Sequence, residues 1–156
     1  EEFGSPSLPA KFATPLDFGV HLARVAPGSG IDTLNQLLGN SGMVLFGRPT
    51  PDGYPEEPAE YADTNSFLQR WNHSQALQHV AATVIPESWK NRRRFGSSIE
   101  RQRLVDLAAI RLTGSLLGEP SNDAAVRVLA SSTGSPADRA EQLVAFIGYL
   151  PEMHVR

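Results

Sequence analysis

The side chains best suited to chemistry in this sequence are cations clustered between residues 90 and 103. Six of the fourteen Lys and Arg residues lie there: Lys90, Arg92, Arg93, Arg94, Arg101 and Arg103. They flank the predicted start of a helix, where the positive end of the helix dipole disfavours each cation by about 0.3–1 kcal/mol. Three interpretations stay open: a solvated loop, an internal contact with an acidic part of the protein, or a site for an external anion such as a phosphate group or an acidic polysaccharide.

A second candidate surface is the stretch 45–55, which carries Phe46, Arg48, Asp52 and Tyr54 among three prolines and two glycines. Proline fixes φ and lacks a backbone donor, so neither a helix nor a central strand runs through this stretch. We therefore predict one long, ordered Pro/Gly-rich loop between two helices. Tyr54 is the best candidate for an exposed aromatic that stacks on a ligand, although aromatics in such loops more often pin them to the helices beneath.

No catalytic constellation is recognisable. Because cysteine is absent, disulfides, thiolate nucleophiles and cysteine zinc sites are excluded. The serines stand in cap or turn positions, and neither a G-x-S-x-G motif nor a phosphate-binding glycine motif occurs. His73 and His79 lie about 240° apart on a helix, so they cannot share one metal ion. We therefore predict no catalytic residue, no cofactor and no metal site.

Acidic residues at 56, 57, 60 and 63 precede the third predicted helix. We expect them to favour its N-terminus through the helix dipole, with acid–base catalysis as the lesser alternative. The formal net charge of −3 argues against a general nucleic-acid binder. No apolar run approaches the ~20 residues that span a bilayer, so no membrane span is expected.

The apolar periodicity predicts an all-α bundle of about six helices in a single domain over residues 1–156. The expected N-caps are Thr14, Asp63 or Thr64, Ser97 or Ser98, Ser121 or Asn122, and Ser135. The expected stops are Pro27-Gly28, Gly39 or Gly42, Pro86, Gly118 and Gly134. The expected buried stripes, with Trp71 in the core, are Leu16, Val20 and Ala23; Ile31, Leu34, Leu37 and Leu38; Phe67, Leu68, Trp71, Leu77, Val80, Ala81 and Val84; Val105, Ala108, Ala109, Leu112 and Leu116; Ala125, Val128 and Leu129; and Ala140, Leu143, Val144 and Ile147.

Four segments carry a family resemblance. Residues 11–18 (KFATPLDF) resemble the K-x-K/A-T-P-x-E-F segment of the bacterial domain of unknown function 1800 family, and residues 45–55 resemble its F-x-x-P-x-P-x-G-W/Y-P loop. Arg70-Trp71-Asn72 is similar to the family's R-x-N, and residues 150–156 to its S-P-E-F-x-x-R ending. The chain departs from the family at Met43, where glutamine is usual, and at Tyr61, where tryptophan is usual.

The resemblance implies that the chain is the C-terminal portion of a longer, exported bacterial protein, periplasmic or secreted. It implies two partners, the remainder of the parent chain and the sulfatase-like product of a neighbouring gene, and no established activity. We expect a non-catalytic helical scaffold or partner-binding domain. The alternative is part of an enzyme or binding protein acting on extracellular polymers, its site completed by residues N-terminal to this chain.

Overall fold

The computed structural model describes residues 12–25, 30–44, 47, 54, 58–61, 63–75, 77, 84–91 and 95–155. Within these ranges it contains six α-helices of eleven residues or more and no named strand: α1 (Pro15–Val25), α2 (Gly30–Asn40), α3 (Thr64–Ser74), α4 (Ser98–Thr113), α5 (Glu119–Ser131) and α6 (Pro136–Gly148). The predicted all-α fold of about six helices is confirmed. Of the described helices, none has the length and apolar character needed to cross a bilayer.

Three of the six described helices, α1, α3 and α6, begin at predicted caps whose side chains bond to the first turn, whereas Ser97, the residue before α4, makes no side-chain cap bond. Thr14 caps α1, because the Asp17 amide donates to Thr14 Oγ1 at 3.2 Å while the Thr14 amide donates to Asp17 Oδ2 at 3.3 Å. Ser135 and Asp138 form the same reciprocal box at α6. Asp63 caps α3 by accepting from the amides of residues 65 and 66 at 2.8 and 3.0 Å. Each box satisfies amides that have no partner inside the first helical turn.

The end of α4 and the start of α5 differ from the prediction. Helix α4 ends at Thr113 because Gly114 takes the left-handed conformation, φ 80°, that commonly terminates helices. Leu116, predicted to continue the α4 stripe, therefore lies beyond the helix and is exposed. Helix α5 begins at Glu119 with Gly118 as its N-cap, ahead of the predicted caps at 121 and 122, because a proline fits the first turn, where no amide partner is lost.

The larger of two core clusters joins α1, α4, α5 and α6 with Leu37 of α2 and the segments around Leu77, Val84 and Phe95. The stripes of α4 and α6 are buried as predicted, apart from Leu116. The buried stripe predicted for α1, which began at Leu16, is wrong. Phe18 and Leu22 are the buried side chains of this helix, whereas Leu16 is exposed. The Phe18 face enters the core because the Phe18 ring packs between the C-terminal segment and α3, stacking on His154 and lying under the Arg70 guanidinium.

Helix α3 is the main departure from the predicted pattern. It buries Ser66, Arg70 and Ser74 and leaves the large apolar side chains Phe67, Leu68 and Trp71 exposed at 44, 52 and 39%. The predicted placement of Trp71 in the core is therefore wrong. Small side chains on the buried face permit close packing on α6: a Cβ placed on Gly148 would lie 3.3 Å from Ser74 Cβ.

The third helix was also predicted to run to Pro86, whereas α3 ends at Ser74. Leu77 and Val84 are buried as expected. The predicted stripe positions Val80 and Ala81 lie outside the described residues. In α2, the backbone of Ile31 is described but its side chain is not.

The described parts of the 43–61 loop pack on α2. Met43 and Tyr61 are buried with Leu38 in a second, smaller cluster, against which Leu34 and Tyr54 pack. Residues 45–46, 48–53 and 55–57 lie outside the described residues. The loop is thus attached to the bundle at its beginning, at Tyr54 and at its end.

Candidate functional site

Of the predicted loop site, the structure describes Tyr54 alone; Phe46, Arg48 and Asp52 lie outside the described residues. The Tyr54 hydroxyl donates to the Val44 carbonyl at 2.6 Å, and the side chain packs against the Leu38 cluster. These are the contacts of an aromatic that pins a loop to the helix beneath it.

In the basic cluster, Arg92, Arg93 and Arg94 lie outside the described residues. The other three cations are bound by acceptors of the protein itself. Lys90 lies 3.2 Å from Glu87, and Arg103 lies 3.2 Å from Glu100. Arg101 Nη1 donates to the carbonyls of residues 95 and 96 at 3.2 and 2.7 Å. Arg101 and Arg103 therefore stabilise the start of α4, whereas Lys90 pairs within the turn that precedes it.

A third arginine in this region, Arg139, was not singled out in the sequence. Its Nη2 donates to the carbonyls of Leu129 and Phe95 at 2.7 and 3.3 Å, and its guanidinium carbon lies 4.7 Å from the centre of the Phe95 ring. Burial, and then the nearby charge of Arg101, lower the pKa of Arg139. The sequence position of Arg139, in the first turn of α6 and shortly after the end of α5, could have indicated this role, because cations bind the free carbonyls at helix C-termini.

The most unusual group in the described part of the chain is Arg70, a fully buried arginine. Its Nη2 donates to the Ala13 carbonyl at 2.6 Å, and its guanidinium carbon lies 4.1 Å from the Phe12 ring centre and 5.7 Å from that of Phe18. Nε and Nη1 have no hydrogen-bond partner among the described residues. Burial lowers the pKa of Arg70 to about 10, although Asp17 and Asp63 oppose the shift. The side chain is therefore a cation at neutral pH, held largely by cation–π contacts.

His154 lies beside Arg70 and is also buried. Its ring stacks on Phe18 with 5.1 Å between centroids and is tilted against Phe67 at 5.7 Å. Neither ring nitrogen has a partner among the described residues. Burial, and then the charge of Arg70, lower the pKa of His154 to about 4, so the ring is neutral at pH 7.

These two side chains stand where three segments meet, a region we call the Arg70 junction (Phe12, Ala13, Phe18, Arg70 and His154). Phe12 forms an antiparallel bridge with Val155, and the Ala13 amide donates to the His154 carbonyl at 2.9 Å. Arg70 adds the bond from α3 to the Ala13 carbonyl. The junction thus fixes the orientation of α3 relative to α1 and the C-terminal segment.

A small cavity of about 80 Å³ beside the junction is lined in part by Asp17, His21, Thr113 and Glu152. Several of its polar atoms make structural bonds: His21 Nε2 bonds to the Leu112 carbonyl, and Glu152 Oε1 accepts from the Gly118 amide at 3.2 Å, while Glu152 Oε2 has no partner among the described residues. Asp17 belongs to the α1 capping box. In the described ranges, no group of three or more His, Asp and Glu residues is placed to hold a metal ion.

The outer side of α3 carries a continuous aromatic face, which we define as Phe67, Leu68, Trp71 and Tyr149. The Phe67 and Trp71 ring centroids are 6.1 Å apart, and Trp71 stacks on Tyr149 at 4.4 Å with 17° between the planes. All three α3 members are more than a third exposed. The sequence predicted these three α3 residues in the core because their spacing is that of a buried stripe. The polar residues Ser66, Arg70 and Ser74, which recur at every fourth position, were the feature that distinguishes this helix from an ordinary amphipathic one.

Each end of the aromatic face opens into a groove. The first groove, of about 310 Å³, is lined by Phe12, Asp63, Thr64 and Phe67. The second, of about 400 Å³, is lined in part by Asp138, Glu141, Phe146 and Tyr149. The face and its grooves lie mainly on α3 and α6, with Phe12 and Val128 contributing from neighbouring segments, and they form the candidate functional site.

Comparison with known proteins gives one match. A family model described as "Protein of unknown function (DUF1800)" matches residues 1–155. No curated protein matches the chain, and no solved structure does.

Proposed function

This chain belongs to the DUF1800 family of proteins of unknown function, and from that premise we propose that it is a non-catalytic helical domain that binds a partner protein through the aromatic face. One observation carries the proposal: α3 buries an arginine and two serines while Phe67, Leu68 and Trp71 face outward. Large apolar side chains that are contiguous and exposed mark interaction surfaces in soluble proteins.

The composition of the face supports protein binding. Aromatic residues are enriched in the centres of protein interfaces, and tryptophan and tyrosine dominate the binding energy there. By contrast, the exposed side chains of Ile99 and Leu116, at the start of α4 and beyond its end, are separate apolar positions of the kind common on any surface.

The Arg70 junction supports the same proposal. By bonding α3 to the segment before α1, it holds the aromatic face in one orientation. A preformed surface loses less conformational entropy when a partner docks, so more of the contact energy remains as affinity.

The alternative of an enzyme acting on extracellular polymers receives less support. It relies on Phe46, Arg48 and Asp52, which lie outside the described residues, and on Tyr54, whose hydroxyl is bonded to Val44. The small polar cavity beside the junction has capping and backbone bonds in place of a nucleophile and base.

We propose as partners those that the family resemblance implies, the remainder of a longer parent chain and the sulfatase-like product of a neighbouring gene, in an extracytoplasmic location. The test is co-purification of the protein with that gene product. The double variant Phe67→Ala/Trp71→Ala should lose the partner, whereas the control Ile99→Ala/Leu116→Ala, which removes exposed apolar atoms elsewhere, should retain it. Retention by both variants would refute the aromatic face as the binding surface.

A further inference from the structure

We infer that the segment bound by the aromatic face is basic and amphipathic, with apolar side chains on Phe67 and Trp71 and Lys or Arg side chains in the two flanking grooves. The inference rests on the proposed function and specifies the chemistry of its partner. Its basis is the arrangement of charge around the face.

The apolar centre is continuous from one groove to the other. Phe67 lines the first groove and contacts Trp71, Trp71 stacks on Tyr149, and Tyr149 lines the second groove. A single partner element laid along this path therefore touches both grooves at its ends. A helix with apolar residues at i, i+3, i+4 and i+7 is the ordinary element that fills such a surface.

The charges at the two ends have one sign. Asp63 is the one charged side chain lining the first groove, and Asp138 and Glu141 are the charged side chains of the second among the described residues. Bonds from Ser66 lower the pKa of Asp63, and bonds from Ser135 lower the pKa of Asp138, so both are carboxylates at neutral pH. Complementary charge at the rim selects cationic partners and repels acidic ones.

The grooves also suit long cationic side chains in shape. Phe12 and Phe67 stand beside Asp63, so the methylene stem of a Lys or Arg can lie on a ring while its charged head meets the carboxylate. The two grooves differ in how strongly their carboxylates can attract a cationic side chain. Asp63 already interacts with the buried cation Arg70, whereas Glu141 is exposed on α6 and none of the described residues that line its groove is a cation. Glu141 should therefore contribute more than Asp63 to the preference for a cationic partner over an acidic one.

The test uses three fluorescently labelled synthetic helical peptides that share one leucine face and carry Lys, Gln or Glu at the flanking positions. We expect the Lys peptide to bind about three- to tenfold more tightly than the Gln peptide at low salt, and the Glu peptide to bind most weakly. The differences should shrink at 0.5 M salt, because exposed charges are screened.

Variants separate charge from apolar contact. Glu141→Gln should remove most of the advantage of the Lys peptide, and Asp63→Asn, which keeps an N-cap on α3, should remove less. Trp71→Ala should weaken all three peptides by a similar factor. Asp123→Asn, an exposed α5 carboxylate that lines neither groove, is the matched control and should change nothing.

Equal affinity for the three peptides, with Trp71→Ala weakening all of them, would overturn the inference and leave the proposed function standing. Binding that Trp71→Ala does not alter would overturn both. Trp71-dependent dimers in sedimentation would place a second copy of the chain on the face and overturn the inference as well. If no peptide binds, the inference falls, and the co-purification experiment alone decides the proposed function.

Discussion

Lowering the pH from 7 to 5 should destabilise the fold through one buried side chain, His154. In the unfolded chain this histidine has its ordinary pKa of 6.5, whereas in the fold burial and the charge of Arg70 lower the pKa to about 4. Between these values the unfolded state binds more protons than the native state. Stability is therefore fully present above about pH 6.5 and is lost as the pH falls toward 4.

The magnitude follows from the two pKa values. One pKa unit corresponds to about 1.4 kcal/mol, and integration between pH 7 and pH 5 gives a loss of about 2 kcal/mol in the free energy of unfolding. The pKa values of the caps Asp63 and Asp138 are lowered from 3.8, so their contributions are lost only at still lower pH. The loss of stability between pH 6.5 and pH 4 is therefore due to His154 and not to these two caps.

The assay is urea denaturation at pH 7, 6 and 5 for the native protein and for His154→Phe. Phenylalanine keeps the stack on Phe18, removes both unpartnered ring nitrogens, and leaves the backbone bond to Ala13 intact. The difference between the two proteins should grow by about 2 kcal/mol from pH 7 to pH 5. A constant difference, or an NMR titration that places the pKa of His154 near 6.5, would refute the reasoning.

Three further predictions, each comparing two substitutions, test the helices by urea denaturation. Asp63→Ala should cost about 1 kcal/mol by removing the α3 cap, while Asp63→Asn should cost little; equal losses would contradict the capping role. Gly148→Ala should cost about 1–3 kcal/mol, because its Cβ would lie 2.8 Å from Leu77 Cδ1, whereas Gly39→Ala, with nothing within 4 Å, should stabilise by about 0.4–1 kcal/mol. Trp71→Ala should cost about 1 kcal/mol, well below the ~2–5 kcal/mol of Leu129→Ala; a reversed order would mean that Trp71 is a core residue.

The parts of the fold that could be predicted are those set by residues close in sequence. The boxes at Thr14 and Ser135 depend on a partner three residues away, so the sequence reveals them directly. The stripes of α4 and α6 are equally clear, because each helix has one face of small and aliphatic residues between polar ones.

Helix α3 could not be predicted in the same way. Its sequence has a normal apolar stripe, and burial of Arg70 instead depends on Phe12, 58 residues earlier, and on Ala13, 57 residues earlier. The periodicity of one helix contains no information about contacts, such as those of Phe12 and Ala13 with Arg70, that a distant segment supplies. The candidate site was missed for the same reason, since the exposed position of Trp71 follows from the burial of Arg70.

The pairing of Phe12 with Val155 brings the first and last described backbone segments side by side, running in opposite directions. Residues paired in this way lie about 4.5–5.5 Å apart, a gap that a hairpin of a few residues closes. The described part of the chain from Phe12 to Val155 therefore forms a nearly closed ring, within which the order of the helices need not begin with α1. Rejoined there and opened in the turn between α4 and α5, the same six helices would keep their neighbours in a circular permutant.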